Sequence, residues 1–169
     1  MVRSEEDMGL RYEEMLHRAG CNTEVIAHCK AVRDVAMEYA SHNPEVDKDL
    51  VEAGAMLHDI GRGTTHTIHH AQSGADLLRS MGIDEAIARI VECHTGAGLT
   101  ADECILLRLD ARDCVPWTTE EKIVCHADNL IAGRRRGTIG ESIGSAVHLP
   151  RKARIRMYRL SNDAELLCH

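Results

Sequence analysis

Aromatic side chains are almost absent from this sequence, which contains no Phe, one Trp and three Tyr among 169 residues. The protein therefore offers few of the aromatic platforms on which single-stranded nucleic acids stack. Hydrophobic residues still make up 44% of the chain, enough for a core packed from aliphatic side chains. The Val/Ile/Thr alternation that marks β-strands is also missing, so we expect no large sheet.

A basic surface is missing too, because the formal net charge is −7. This balance argues against general binding of nucleic acids or anionic membranes. The seven cysteines are odd in number and form no C-x-x-C pair, and the N-terminus has no hydrophobic signal segment. No apolar run is long enough to span a bilayer. We therefore expect a cytoplasmic protein with reduced thiols, outside the membrane.

Helical periodicity, in contrast, covers most of the chain. Apolar residues recur at three- and four-residue spacing, and Gly and Pro mark the breaks. The segment around Gly137 and Gly140 is predicted to be a loose linker. The predicted helices cover residues 5–18, 23–40, 47–60, 69–80, 84–94, 100–109, 118 to at least 131, and 152–167. The pattern predicts an all-α bundle of about six to eight helices in one domain over residues 1–169.

Histidine is abundant, with eleven residues spread along the chain. An adjacent His-Asp pair ends an apolar predicted helix, just before a Gly-rich break. Three more histidines and one aspartate lie on apolar helix faces, where a buried carboxylate needs a partner or a metal ion. A single buried histidine is ordinarily a satisfied core residue, but this combination predicts a shared metal site. The residues are His28, His58, Asp59, His70, His94 and Asp128.

These residues and their surroundings resemble the HD-domain phosphohydrolase superfamily over about residues 28–136. The segment AMLHDIGR is similar to its HDIG-type signature, while HHAQSGADLL, VECHTGAGLT and CHADNLIAGRRR are similar to its later metal segments. The chain most resembles small single-domain HDIG proteins of unassigned function, and it is also similar to the bacterial family that hydrolyses diadenosine tetraphosphate. The signature usually ends in Lys where this chain has Arg62, which offers a planar fork instead of a point charge.

The resemblance implies a site for two divalent metal ions. The first ion would be held by the residues of the minimal family site, which are His28, His58, Asp59 and Asp128. His70 and His94 would bind the second ion, with Asp59 bridging both. Mixed imidazole and carboxylate ligands suit Fe, Mn, Co, Ni or Zn. No Cys occupies a ligand position of the motif, which argues against a structural zinc site.

The resemblance also implies a metal-dependent phosphohydrolase, in which a metal-activated hydroxide attacks phosphorus. Asp59, His58 and Arg62 are its expected catalytic residues. The expected substrate is a small phosphorylated molecule of the nucleotide class. Arg62, Thr95 and Arg134 are the expected substrate contacts. Arg62 also fits a surface cation at a helix end, and Arg134 also fits a solvated run of charge.

Two reactions remain open within this class. One is hydrolysis of a phosphomonoester, and the other is hydrolysis of a phosphoanhydride or phosphodiester, which the His70/His94 pair favours. The alternative from another class is a non-catalytic, metal-containing nucleotide-binding or sensor domain. Because inactive HD domains usually lose ligands, the presence of all six ligand-type residues argues for the enzyme.

Overall fold

The computed structural model describes residues 5–168, and helices dominate this part of the chain, as the sequence predicts. The described residues form nine α-helices, one more than the upper end of the predicted range. They are Glu5–Arg18 (α1), Thr23–Ser41 (α2), Lys48–Leu57 (α3), His70–Ser80 (α4), Glu85–Cys93 (α5), Ala101–Leu106 (α6), Thr119–Leu130 (α7), Ile139–Ser145 (α8) and Arg151–Cys168 (α9). A 3₁₀-helix, Ile60–Gly63, follows α3, and an antiparallel hairpin of Ile131–Ala132 (β1) and Arg135–Arg136 (β2) follows α7.

Capping boxes open three of the helices. Thr100 and Thr118 begin α6 and α7, where each hydroxyl accepts from a backbone N–H three residues on and a glutamate carboxylate accepts from the threonine N–H. A third box at Thr138 begins α8, in the segment predicted to be a loose linker. That prediction was wrong because α8 has only two large apolar side chains, Ile139 and Ile143, which are partly buried against the core and too few to give a clear apolar stripe.

The two largest clusters of the core adjoin each other, and α3 contributes to both. One cluster packs α2, α3, α5 and α7 around residues such as Val51 and Ile123. The other packs α1 to α5 around residues such as Leu57 and Leu78. On α3, a Cβ added at Gly54 would lie 2.7 Å from the Ile90 side chain, so α3 and α5 are in close contact. This contact fixes the end of α3 relative to the end of α5.

The 3₁₀-helix after α3 is pressed against the start of α4. A Cβ added at Gly61 would lie 1.9 Å from the backbone oxygen of His70, so this position accepts no larger residue without movement. The close approach places Asp59, just before the 3₁₀-helix, next to the first residue of α4. The fold therefore brings the His-Asp pair and His70 to one place.

The last helix, α9, covers α7 and the turn after α5. Met157 and Leu160 of α9 pack with Cys125 of α7 and Ala97 of that turn. Arg156 donates to the backbone oxygens of Ala97 and Gly98. In the described part of the chain, none of the helices is both long and apolar enough to cross a bilayer.

Candidate metal centre

Four imidazoles and two carboxylates meet between the helix ends, and they are the six side chains predicted to be ligands. They come from five points of the chain, which are α2, the end of α3 with two adjacent residues, the start of α4, the residue after α5, and α7. Two overlapping groups of three have ligand atoms within 4.8 Å of one another. The groups are His28, His58 and Asp128, and His58, Asp59 and His94.

All four imidazoles are oriented by the backbone. Each Nδ1 lies 2.7 Å from a carbonyl oxygen, and these oxygens belong to Gly133, Ala55, Thr67 and Val91. Because a carbonyl oxygen can only accept, Nδ1 carries the hydrogen and Nε2 of the neutral ring keeps a free lone pair. Each Nε2 faces the cluster. Metal-binding histidines in proteins show this same orientation by a backbone or carboxylate partner.

Asp59 lies in the middle of the cluster, with one oxygen towards each pair of histidines. Its Oδ1 is 3.2 Å from His70 Nε2 and 3.5 Å from His94 Nε2. Its Oδ2 is 3.9 Å from His28 Nε2 and 3.8 Å from His58 Nε2. The carboxylate thus faces two separate sets of nitrogen donors.

Asp128 completes the set around His28 and His58. Its Oδ1 is 3.0 Å from His28 Nε2 and 3.5 Å from His58 Nε2. Although burial by itself raises the pKa of Asp128, the adjacent imidazoles of His28 and His58 hold this pKa well below its usual range. Asp59 has the same balance, because the surrounding imidazoles outweigh burial and hold its pKa far below the usual range. Both carboxylates are therefore ionised at neutral pH, as metal ligands must be.

Several contacts in the cluster are unfavourable without a cation. His70 Nε2 and His94 Nε2 lie 3.1 Å apart, although both Nδ1 atoms donate to backbone and both Nε2 lone pairs face each other. His58 Nε2 and Asp59 Oδ1 are buried and make no hydrogen bond of normal geometry. Two donors bound to one ion at about 2.1 Å and at right angles would lie about 3 Å apart. The donors present therefore fit divalent metal ions.

Arg62 lies against the cluster. Its Nε donates to Asp59 Oδ2 at 2.6 Å, and its Nη1 approaches the backbone oxygen of His66 at 3.5 Å. Its side chain is 30% exposed and lines an open cavity of about 350 Å³. His28 and Asp128 line the same cavity, so the arginine and part of the ligand set share one space.

The remaining predicted contacts lie in different places. Thr95 directly follows His94, and its Oγ1 is buried without a hydrogen bond. Arg134 is exposed in the turn of the hairpin and does not line the cavity beside Arg62. That cavity is lined instead by Arg135 and Asn129. Sequence reasoning did not select either of these two, although Asn129 is the immediate neighbour of a predicted ligand.

Comparison with known proteins identifies the family. The family model described as HD domain matches residues 25–133. The chain belongs to the HD-domain family. Membership of this family supports metal-dependent phosphohydrolase activity, and the buried His/Asp cluster is the candidate metal-binding site.

The relatives of this HD-domain chain include proteins named for different activities. It is 49% identical over 127 residues to an uncharacterized protein of Methanocaldococcus jannaschii, covering 73% of this chain and 75% of that protein. It is 46% identical over 123 residues to the tRNA (cytidine(56)-2'-O)-methyltransferase of Thermoplasma volcanium, covering 73% of this chain but only 36% of the relative. It is 32% identical over 104 residues to Ribonuclease Y of Acidothermus cellulolyticus, covering 60% of this chain and 18% of the relative.

A solved structure supports the fold. The HD domain of the L. monocytogenes phosphodiesterase PgpH matches with a TM-score of 0.52 and 15% identity, covering 86% of this chain and 94% of that chain. The match agrees with the all-α HD-domain fold predicted from the sequence.

Proposed function

We propose that this HD-domain protein uses two divalent ions to hydrolyse a phosphodiester or phosphoanhydride bond in a small nucleotide-like substrate. The observation that carries the proposal is the arrangement of four Nε2 atoms and two ionised carboxylates around one centre, beside an arginine-lined cavity. A cavity of about 350 Å³ is within the size range of small-molecule sites.

The ligand set divides into two halves. His28, His58 and Asp128 would hold one ion, and His70 and His94 would hold the other. Asp59 would contribute one oxygen to each half, since its Oδ2 faces the first pair of imidazoles and its Oδ1 faces the second. Fe, Mn, Co, Ni and Zn all suit such mixed ligands. When bound, paired ions of this kind lower the pKa of water and neutralise charge that develops at phosphorus.

The protein's own cations would bind the phosphate. Nε of Arg62 donates to Asp59 and Nη1 approaches the His66 backbone oxygen, while the arginine side chain lines the cavity. A planar guanidinium can donate two parallel hydrogen bonds to a phosphate. Arg135 lines the same cavity and is better placed there than Arg134, which remains a predicted contact only. Thr95, next to His94, is the proposed contact for another part of the substrate.

The choice of a phosphodiester over a monoester rests on two supports. The first is the His70/His94 half of the ligand set, which allows two ions to stabilise both the attacking and leaving oxygens. The second is the name of the Ribonuclease Y relatives, because RNA is a phosphodiester polymer. The methyltransferase activity named for other relatives is not proposed for this chain, because most of the length of each such relative lies outside the matched region. A cytoplasmic location likewise stays a prediction from composition.

A substrate screen tests the proposal. The full chain is supplied with Mn²⁺, Co²⁺, Ni²⁺, Fe²⁺ or Zn²⁺ and assayed on a phosphodiester, a phosphomonoester, cyclic nucleotides and dinucleoside polyphosphates. We expect metal-dependent turnover, faster on diesters or anhydrides than on monoesters, that a chelator and His58→Gln abolish. His126→Gln is the matched control, because His126 is equally buried but its Nε2 contacts the Tyr39 hydroxyl away from the cluster. Nucleotide binding without turnover under every condition would favour the sensor alternative.

A further inference from the structure

A second cavity, of about 300 Å³, borders the turn that follows His94. Its walls come from the loop before α4, the turn after α5, α6 and the start of α9. They are almost entirely apolar, and include Ile68, Leu99, Leu106, Leu149, Ala153 and Met157.

Two links connect the walls of this apolar cavity with the metal centre. Thr95, which lines it, is bonded directly to the candidate ligand His94. The side-chain amide of Asn129 donates to the backbone oxygen of Gly96. Asn129 lines the cavity beside Arg62, and Gly96 lines the apolar cavity. This hydrogen bond therefore joins the walls of the two cavities.

Two features of the apolar cavity point to a ligand. Thr95 Oγ1 is buried and makes no hydrogen bond, although a buried hydroxyl normally has a partner. Leu106 at the cavity is 83% exposed, so an apolar side chain faces solvent beside an apolar space. Glu103 also lines the cavity, but its Oε2 already accepts from Arg156 and from the Thr100 N–H.

We propose that the apolar cavity receives the nucleobase of the substrate, with Thr95 Oγ1 as its polar contact, while the phosphate lies at the metal centre. This rests on the proposed function. A base has two apolar faces and a polar edge, which matches apolar walls with one free hydroxyl. A sugar or a polyphosphate would leave many polar groups unpaired in such a space.

The test measures binding to the full chain by calorimetry, without reference to turnover. The ligands are nucleoside 5′-monophosphates with each of the four RNA bases, and ribose 5-phosphate, which has the phosphate but no base. Ala153→Leu adds three carbon atoms at the cavity wall, and Ala86→Leu makes the same change at an exposed position of α5. Thr95→Val removes the hydroxyl and keeps the shape of the side chain.

At least one nucleotide should bind about tenfold or more tightly than ribose 5-phosphate, as expected for burial of an apolar ring. Ala153→Leu should remove this preference, and Thr95→Val should reduce it about 3- to 10-fold, the effect of one hydrogen bond. Ala86→Leu should preserve it. A melting curve of each variant establishes that it is folded.

Equal binding of nucleotides and ribose 5-phosphate would overturn the proposal, as would a preference that survives both Ala153→Leu and Thr95→Val. A stable dimer dissociated by Leu106→Glu would also overturn it, because a second copy would then cover the cavity. A failed hydrolysis screen with intact base preference would contradict the proposed function and leave the base site standing.

Discussion

Replacing Asp59 by Asn should remove one metal ion and leave the other. The two side chains have nearly the same shape, but the amide is neutral and has an oxygen on one side and a donor on the other. Arg62 Nε donates to Asp59 Oδ2 at 2.6 Å, so the amide oxygen should stay on that side. The Nδ2 donor would then replace Oδ1, which faces His70 and His94.

The magnitude follows from the loss of a buried charged ligand. Removing one partner of a buried charge pair costs about 3–5 kcal/mol, or roughly two to three and a half orders of magnitude in affinity. The His70/His94 half would lose its only carboxylate, whereas the other half keeps Asp128 beside His28 and His58. We therefore expect wild type to bind two ions per chain and Asp59→Asn to bind about one.

Elemental analysis after metal loading gives the count, and thermal unfolding gives an independent measure. An ion present at about 100 times its Kd stabilises a protein by about 2.7 kcal/mol. For a domain of this size that is a rise of about 5–11 °C in Tm. The rise caused by the second ion should be missing in Asp59→Asn. Two ions per chain in the variant, or one in wild type, would refute the bridging position of Asp59.

Two further changes test other parts of the structure. Arg62→Ala should lower kcat/KM about 30- to 150-fold, because it removes a charged hydrogen-bonding partner. Arg62→Lys should recover part of the lost kcat/KM, whereas an unchanged kcat/KM in Arg62→Ala would exclude Arg62 from the site. Glu92 is buried between Arg79 and Arg112, and Glu92→Gln should lower the free energy of unfolding by about 1.5–3 kcal/mol and the Tm by about 3–12 °C. Burial opposes ionisation of Glu92, but the two arginines outweigh burial and hold the pKa of Glu92 below its usual value. The stabilisation by the ionised carboxylate is therefore complete above about pH 4.5 and is lost as the pH falls through the folded-state pKa. The difference between wild type and Glu92→Gln should therefore narrow in acid, and a pH-independent difference in Tm would contradict the role of the carboxylate charge.

The sequence predicts most of the helices because their apolar stripes and caps are local signals. The start of α7 at the Thr118 capping box and the start of α2 at Thr23 are examples. The third helix was predicted to reach Ile60, but α3 ends at Leu57 and a 3₁₀-helix follows, because Gly61 approaches the backbone of α4. Such tertiary contact leaves no periodic trace in the sequence. The single-domain organisation over residues 1–169 stays a prediction.

Four of the candidate ligands were accessible to sequence reasoning because each is a polar residue on an apolar face, and His58 and Asp59 because they form a pair before a Gly-rich break. The partners that orient them were not, since backbone oxygens such as those of Gly133 and Ala55 carry no residue-type signal. The contact from Arg62 to Asp59 depends on how the 3₁₀-helix follows α3. The position of Arg135 at the cavity, with Arg134 outside it, depends on the hairpin after α7.

The most direct test of the metal centre is an anomalous difference map from a crystal of the full chain loaded with Mn²⁺. We expect two peaks about 3.5–4 Å apart, the spacing of paired catalytic ions. One peak should contact Nε2 of His28 and His58, the other Nε2 of His70 and His94, with Asp59 between them. A map with no peak among these side chains at saturating Mn²⁺, or with ions bound only elsewhere on the protein, would contradict the central claim.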